Sequence, residues 1–276
     1  MNLFWAGLVV VGVTAVAITA MLLVRRRAPD GSYFEDGDRA AGVFGVLATG
    51  LAILLGFVVF LAFESFDTSR SGAEAEAQVV RQQFETAQFF PAAVRASLSG
   101  DLVCYARAVI HQEWPQMEAG TLGDTLNPWV FAMFRTLMTV EPKSASEQTA
   151  YAKWFDQRSD RENARADRVH GAEGVIPVPL WIVLVLSAVI ILVFMLFFAD
   201  SGERAVVQAT MVGGIAIVIS STLLLVLFLN NPYHAGIGGL RPVAMERTIR
   251  ILDQEAAAIN VKLTIPCDER GEPRSG

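Results

Sequence analysis

The sequence predicts an all-α integral membrane protein: four transmembrane helices in a 2+2 arrangement, with a helical extramembrane domain between spans two and three. Three observations point to it. Residues 3–24, 43–63, 175–199 and 205–229 each lack Asp, Glu, Lys and Arg. Each is long enough to cross a hydrocarbon core of ~30 Å, which needs ~20 helical residues. Hydrophobic residues make up 53% of the chain and charged ones 18%, an excess concentrated in those stretches. A bilayer core offers no water to peptide groups, so each span must close its own hydrogen bonds as a helix. The expected division is 1–63 for spans one and two with a short basic loop, 64–174 for the helical domain, 175–229 for spans three and four, and 230–276 for an extramembrane tail with one helix.

Span one reads as a retained anchor. A secretory signal carries its basic residues before the apolar stretch and small residues at a cleavage site after it; here Met1-Asn2-Leu3-Phe4 is uncharged and Arg25-Arg26-Arg27 follow the span. Those arginines, with Arg39 in the same loop and Arg204 after span three, lie on one side by parity. Lys and Arg in short loops mark the cytoplasmic side, so the termini and the helical domain are expected to be extracytoplasmic, in a multi-pass protein of the cell membrane. Trp5, Trp181 and Tyr233 fall at one interface, where amphipathic rings are favoured, and agree with the parity.

The second span carries two patterns. Ala41, Gly45, Ala48, Ala52 and Gly56 form a stripe of small residues at helical spacing. Such stripes let helices pack closely in lipid, where apolar burial gives no drive to associate; the neighbour is either in the same chain or in another subunit. The adjacent face carries Thr49, Ile53, Phe57, Phe60 and Glu64. Around a symmetry axis that face makes a narrow apolar constriction with a ring of carboxylates at one mouth, and such rings favour cations. The plainer reading is a lipid-facing or core stripe ending in a carboxylate at the water boundary.

Beyond the membrane the pattern stays helical. The second helix is expected to run on through residues 65–90, with Gly72 as its weak point. Pro91 opens a helix to about Met117, with Pro115 disturbing its last turn. A turn over 120–127 leads to a helix over 128–139 that Pro142 follows. Ser144 and Glu147 fit a capping box before a charged helix to about His170. In that helix Arg158, Arg161, Arg165 and Arg168 alternate with acidic residues and read as a solvated face with i,i+4 pairs. Asn230-Asn231-Pro232 stops span four. The glycines at 236, 238 and 239 form a connector to a last helix from Pro242 to about Ile259, and the charged end beyond 265 is expected to be disordered.

Enzyme chemistry finds no support. His111, His170 and His234 are scattered and belong to no metal-ligand spacing. His111 and Glu113 point to different helix faces, and no nucleophile elbow is present. No cofactor and no metal are called for. The formal net charge of −6, with no basic run beyond Arg25-Arg26-Arg27, argues against nucleic acid. Cys104 and Cys267 fall on one side by span parity. In an oxidising compartment they would bridge and tie the tail to the domain; otherwise they are two unrelated thiols.

Several segments, taken in order, resemble a known family. Gly56-Phe57-Val58-Val59-Phe60-Leu61-Ala62-Phe63-Glu64, Ala73-Glu74-Ala75-Glu76-Ala77, Glu113-Trp114-Pro115 and Ile176-Pro177-Val178-Pro179-Leu180-Trp181 are similar to bacterial bestrophin-like four-pass membrane proteins. The resemblance spans most of residues 40–255 and implies four spans with a helical insertion. A more distant likeness is to bestrophins, pentameric anion channels with a hydrophobic neck on the second transmembrane helix, where Ile53, Phe57 and Phe60 hold a comparable place. The chain departs from them in two respects. Its arginines put the insertion outside rather than in the cytosol, and it has no acidic cluster like the bestrophin calcium clasp.

The expected function is that of an oligomeric, channel-like integral membrane protein conducting small ions through a pore lined by the second transmembrane helix, with the lipid bilayer and copies of itself as partners. The alternative is a non-conducting membrane scaffold or envelope-stress sensor whose helical domain binds a partner.

Overall fold

The computed structural model describes residues 3–121 and 126–274. Nine α-helices are assigned among them: α1 (Leu3–Arg25), α2 (Gly37–Ala87), α3 (Ala92–Ala108), α4 (Trp114–Glu118), α5 (Pro128–Met138), α6 (Ala145–Val169), α7 (Val178–Leu196), α8 (Ala205–Leu229) and α9 (Val243–Ala258). A π-helical turn, Val109–Glu113, joins α3 to α4. Within the described residues the only β pairing is an isolated bridge between Cys267 and Pro273. Four helices, α1, α2, α7 and α8, are long and apolar enough to cross a membrane. The fold is that of an all-α, multi-pass membrane protein. Of the turn expected over 120–127, residues 122–125 lie outside the described residues, as do the last two residues of the tail.

The chain forms two compact units, Met1–Ser65 with Gly174–Gly238, and Phe66–Glu173 with Gly239–Gly276. In the first, α1 packs along α8. Gly213 lies at this contact, where a Cβ would come within 3.0 Å of Ile18 Cδ1. Val212, Ala216, Ile219 and Val226 continue the buried face of α8, while α7 turns Leu184, Ala188 and Ile191 inward. Phe34 and Phe44 stack on Phe194 at centroid distances of 5.5 and 5.8 Å, tying the first loop and α2 to the end of α7. Proline at 177 sets the start of α7, and the Asn230 side-chain oxygen accepts from Val175 N and Ile176 N at 2.9 and 3.0 Å.

Helix α2 has 51 residues, about 75 Å at ~1.5 Å per residue, so it continues well past a hydrocarbon core of ~30 Å. Gly72 is not the weak point expected of it. A Cβ at that position would meet Arg168 N at 2.4 Å, so the glycine admits the backbone of α6 against α2.

The second unit closes around Phe84, Leu98, Leu102, Tyr105, Trp114, Met133, Trp154 and Leu252, all buried. Ser144 caps α6 by accepting from Glu147 N at 3.2 Å, whereas the Glu147 carboxylate accepts from Lys143 N rather than closing the box on Ser144. Where a disordered end was expected beyond 265, the described residues 266–274 pack against the domain. Cys104 and Cys267 are joined in a disulfide with a Cα–Cα distance of 5.8 Å. Trp129 Nε1 donates to Gly271 O at 2.7 Å and Arg107 to Asp268 O at 2.9 Å. Gly271, at φ +80°, sits against the backbone of Ala108, an approach no larger residue permits.

Candidate functional site

Helix α2 buries Leu51, Leu55, Val58 and Ala62 against its own unit. At about 100° per residue, the opposite face carries Thr49, Ile53, Phe57, Phe60 and Glu64. All five are exposed in the single chain, Ile53 at 69%, Phe57 at 58% and Phe60 at 61%. The small-residue stripe lies beside them. Ala41, Gly45, Ala52 and Gly56 are exposed, Ala48 is partly so, and nothing of this chain lies within 4 Å of a Cβ built at Gly45 or Gly56. The five pore candidates therefore share one line, and the glycines of the adjacent stripe meet no helix of their own chain.

The helical domain holds a second feature, absent from the sequence expectations. Arg161 and Arg168 of α6 are buried, Arg168 at 0% exposure, rather than on a solvated face; Arg158 makes an i,i+4 pair with Glu162 at 2.8 Å. Arg168 Nε and Nη2 grip Glu76 of α2, and Nη2 also donates to Glu113 Oε2 at 2.6 Å. Arg165 Nε reaches the same Glu113 oxygen at 3.1 Å. Tyr105 OH donates to Glu76 Oε1 at 2.5 Å, Asn127 Nδ2 to Glu113 Oε1 at 3.1 Å, and Arg161 to Gln83 Oε1 at 2.7 Å while lying 4.8 Å over the Tyr105 ring. Tyr105 adjoins the disulfide-bonded Cys104.

The electrostatics follow from burial and pairing. Burial alone would raise the Glu113 carboxyl, but Arg168 and Arg165 overcome it and hold it below its ordinary value. Burial opposes the charge on Arg168, and Glu76 and Glu113 more than offset this, so its affinity for the proton rises. For Arg161, burial outweighs the attraction of Tyr105, Glu76 and Glu162 and lowers it. Asp101 on α3 is raised to about 6 because burial outweighs the attraction of Arg135. The network lies in the domain's interior, with Glu76, Tyr105, Glu113, Arg161 and Arg168 buried.

A readable signal marked these arginines. Ala150, Trp154, Gln157, Arg161, Ala164 and Arg168 are the buried residues of α6, spaced alternately by four and three as on a packed helix seam. Phasing from Trp154 puts Arg161 and Arg168 inward. Among the described residues no group of three or more His, Cys, Asp or Glu is placed to hold a metal ion. His111 is exposed while Glu113 is buried, so the two do not form a ligand pair.

Comparison with known proteins agrees with this architecture. The chain resembles a crystal structure of a bacterial bestrophin homologue from Klebsiella pneumoniae at a TM-score of 0.67 and 14% identity, covering 93% of this chain and 99% of that one. A point variant of the homologue matches at a TM-score of 0.66 and 15% identity, covering 92% and 98%. At these identities the likeness establishes the fold. A search of curated proteins finds no match. The family model for the bestrophin-like domain matches residues 9–241, and the chain therefore belongs to the bestrophin-like family.

Proposed function

We propose that this protein is the subunit of a homo-oligomeric, channel-like assembly that passes small ions along an axis lined by α2. One observation carries the reading: the face of α2 opposite its buried side holds Thr49, Ile53, Phe57, Phe60 and Glu64 in a single exposed line. Copies of α2 arranged about an axis bring the small-residue stripe against neighbouring helices, where close packing is favourable in lipid. The aromatic and aliphatic side chains then form a constriction that opens by wetting, and the Glu64 carboxylates form a ring that favours cations. The likeness to bacterial bestrophin homologues supports the same reading. No observation favours a catalytic function.

We also infer that the helical domain lies outside the cytoplasm. Arg25, Arg26, Arg27, Arg39 and Arg204 on the opposite loops support that orientation, and so does a Cys104–Cys267 disulfide, which persists in oxidising compartments.

The arrangement is testable with a single thiol at the proposed axis. Both native cysteines are consumed in the disulfide, so Ile53→Cys supplies a unique reactive position. Oxidation of Ile53→Cys should link chains, while the same substitution at Leu184, buried within the chain, should not. A monomer in detergent, or equal linking at both positions, refutes the proposal.

A further inference from the structure

Within the helical domain, α2 is flanked by two different helices. Gly72, Glu76 and Gln83 turn toward α6, where they meet the Asp167–Arg168 backbone, the Arg168 guanidinium and Arg161. At ~100° per residue, Ala73, Ala77 and Arg81 lie on a different face and turn toward α9. There Thr248 Oγ1 donates to Ala77 O at 3.1 Å and Arg81 pairs with Glu255 at 2.7 Å. The α9 side forms an open groove, with Arg70, Arg81 and Arg247 standing around Ala73, Ala77 and Ile251. Arg70 shares Glu74, and Arg81 shares Glu85 and Glu255. Arg247 is exposed and makes no ion pair among the described residues.

The α6 side carries the converse. Arg158 and Arg165, on one edge of α6, reach the Phe134 ring and Glu113. Asp160 and Asp167, seven residues apart on the other edge, are exposed and make no ion pair among the described residues. The bare charges of the two sides lie at matching heights along α2. A Cβ on Gly72 would meet Asp167 Cβ at 2.8 Å, so Asp167 is level with residue 72. Asp160 is ~10 Å further along at ~1.5 Å per residue, close to the level of Arg81. The bond from Thr248 to Ala77 sets Arg247 between those two heights. A rotation about an axis along α2 preserves height, and so carries the Asp160–Asp167 edge of one copy to the level of Arg247 in the next.

We propose that the groove between α2 and α9 is covered by the Asp160–Asp167 edge of α6 from a second copy of this chain. The proposal rests on the homo-oligomeric reading above and adds to it the faces that meet. Each copy gives its groove to one neighbour and its acidic edge to the other, a heterologous contact of the kind that closes into a ring. Arg247 supplies the cation that Asp160 and Asp167 lack within their own chain. Complementary charge at such a contact sets partner and register more than it adds affinity. The contact holds whether or not the assembly conducts.

The test uses the purified full chain in detergent with its native disulfide intact, so that introduced cysteines are the reactive thiols. Arg247→Cys combined with Asp167→Cys, treated with a short bismaleimide, should give a ladder of dimers, trimers and higher species. Neither single variant should link, and both positions are exposed in the single chain. Arg247→Glu should weaken association at least tenfold, read by native mass spectrometry on dilution. Adding Asp160→Lys and Asp167→Lys to it should recover most of that loss. The Ile53→Cys link separates this contact from the axis. Linking at Ile53→Cys with no ladder from the double variant retains the axis and overturns the contact. Dimers alone, linking by Arg247→Cys on its own, or a charge reversal without effect overturns it as well. A ladder without the Ile53→Cys link supports the contact and removes the axis; a monomer overturns both.

Discussion

Replacing Arg168 with methionine tests the electrostatic core of the helical domain. Its guanidinium is fully buried and pairs with both Glu76 and Glu113, so Arg168→Met leaves Glu76 with only the Tyr105 hydroxyl and Glu113 with Arg165 and Asn127. Removing one partner of a buried ion pair costs ~3–5 kcal/mol, because a charge stays behind without compensation. For a unit of this size that is a fall on the order of 10 °C in melting temperature. Trp114, Trp129 and Trp154 are all buried in this unit, so their fluorescence reports its unfolding. The pH dependence gives a second readout. In the wild type, Glu113 is held below its ordinary value, so its contribution is present at neutral pH and lost as pH falls through the folded value. In Arg168→Met, Glu113 loses the strongest attraction holding its carboxyl down, so the destabilisation on acidification should be smaller than in the wild type. Adding Glu76→Gln and Glu113→Gln should recover much of the loss. A penalty under ~1 kcal/mol, which is the range of exposed pairs, or a pH slope unchanged from the wild type, would refute the reasoning.

Other outcomes follow from the same structure. Thiol titration of the native protein should find no free cysteine, and both should appear after denaturation and reduction; Cys104→Ser with Cys267→Ser should cost ~2–5 kcal/mol and expose the 266–274 segment to proteases, whereas stability indifferent to reductant would contradict the tie. Asp101 binds its proton more tightly folded than unfolded, being raised from 3.8 to about 6. Its contribution is therefore full below the unfolded value and lost as pH rises through the folded one. Asp101→Asn should flatten the stability profile between those values, and an unchanged slope would count against its burial as the cause.

The four spans were legible because the requirement for ~20 uncharged residues leaves few alternatives. The line Thr49, Ile53, Phe57, Phe60, Glu64 was legible as a face, because helical spacing alone places those residues together. Which way the face points was not. That depends on Leu51, Leu55, Val58 and Ala62 finding partners within the chain, a property of packing rather than of spacing. Arg161 and Arg168 were misread because charge alternation resembles solvent exposure, although their seven-residue phase with Trp154 indicated the interior. Gly72 was misread for a related reason. Low helix propensity is a local property, and the need for a missing Cβ arises only when the Arg168 backbone approaches. The packing of residues 266–274 rests on Trp129, Arg107 and the disulfide, contacts that pair residues more than a hundred positions apart.

The proposal that α2 lines a conducting axis meets its most direct test in planar bilayers containing the purified protein, with Phe57→Ala compared against the wild type. Phe57 is exposed on the single chain, so truncating it should leave the fold intact and widen the constriction. The expected result is a wild-type current that Phe57→Ala increases. Silent bilayers at both voltage polarities, or currents that Phe57→Ala leaves unchanged, would contradict an axis lined by this face.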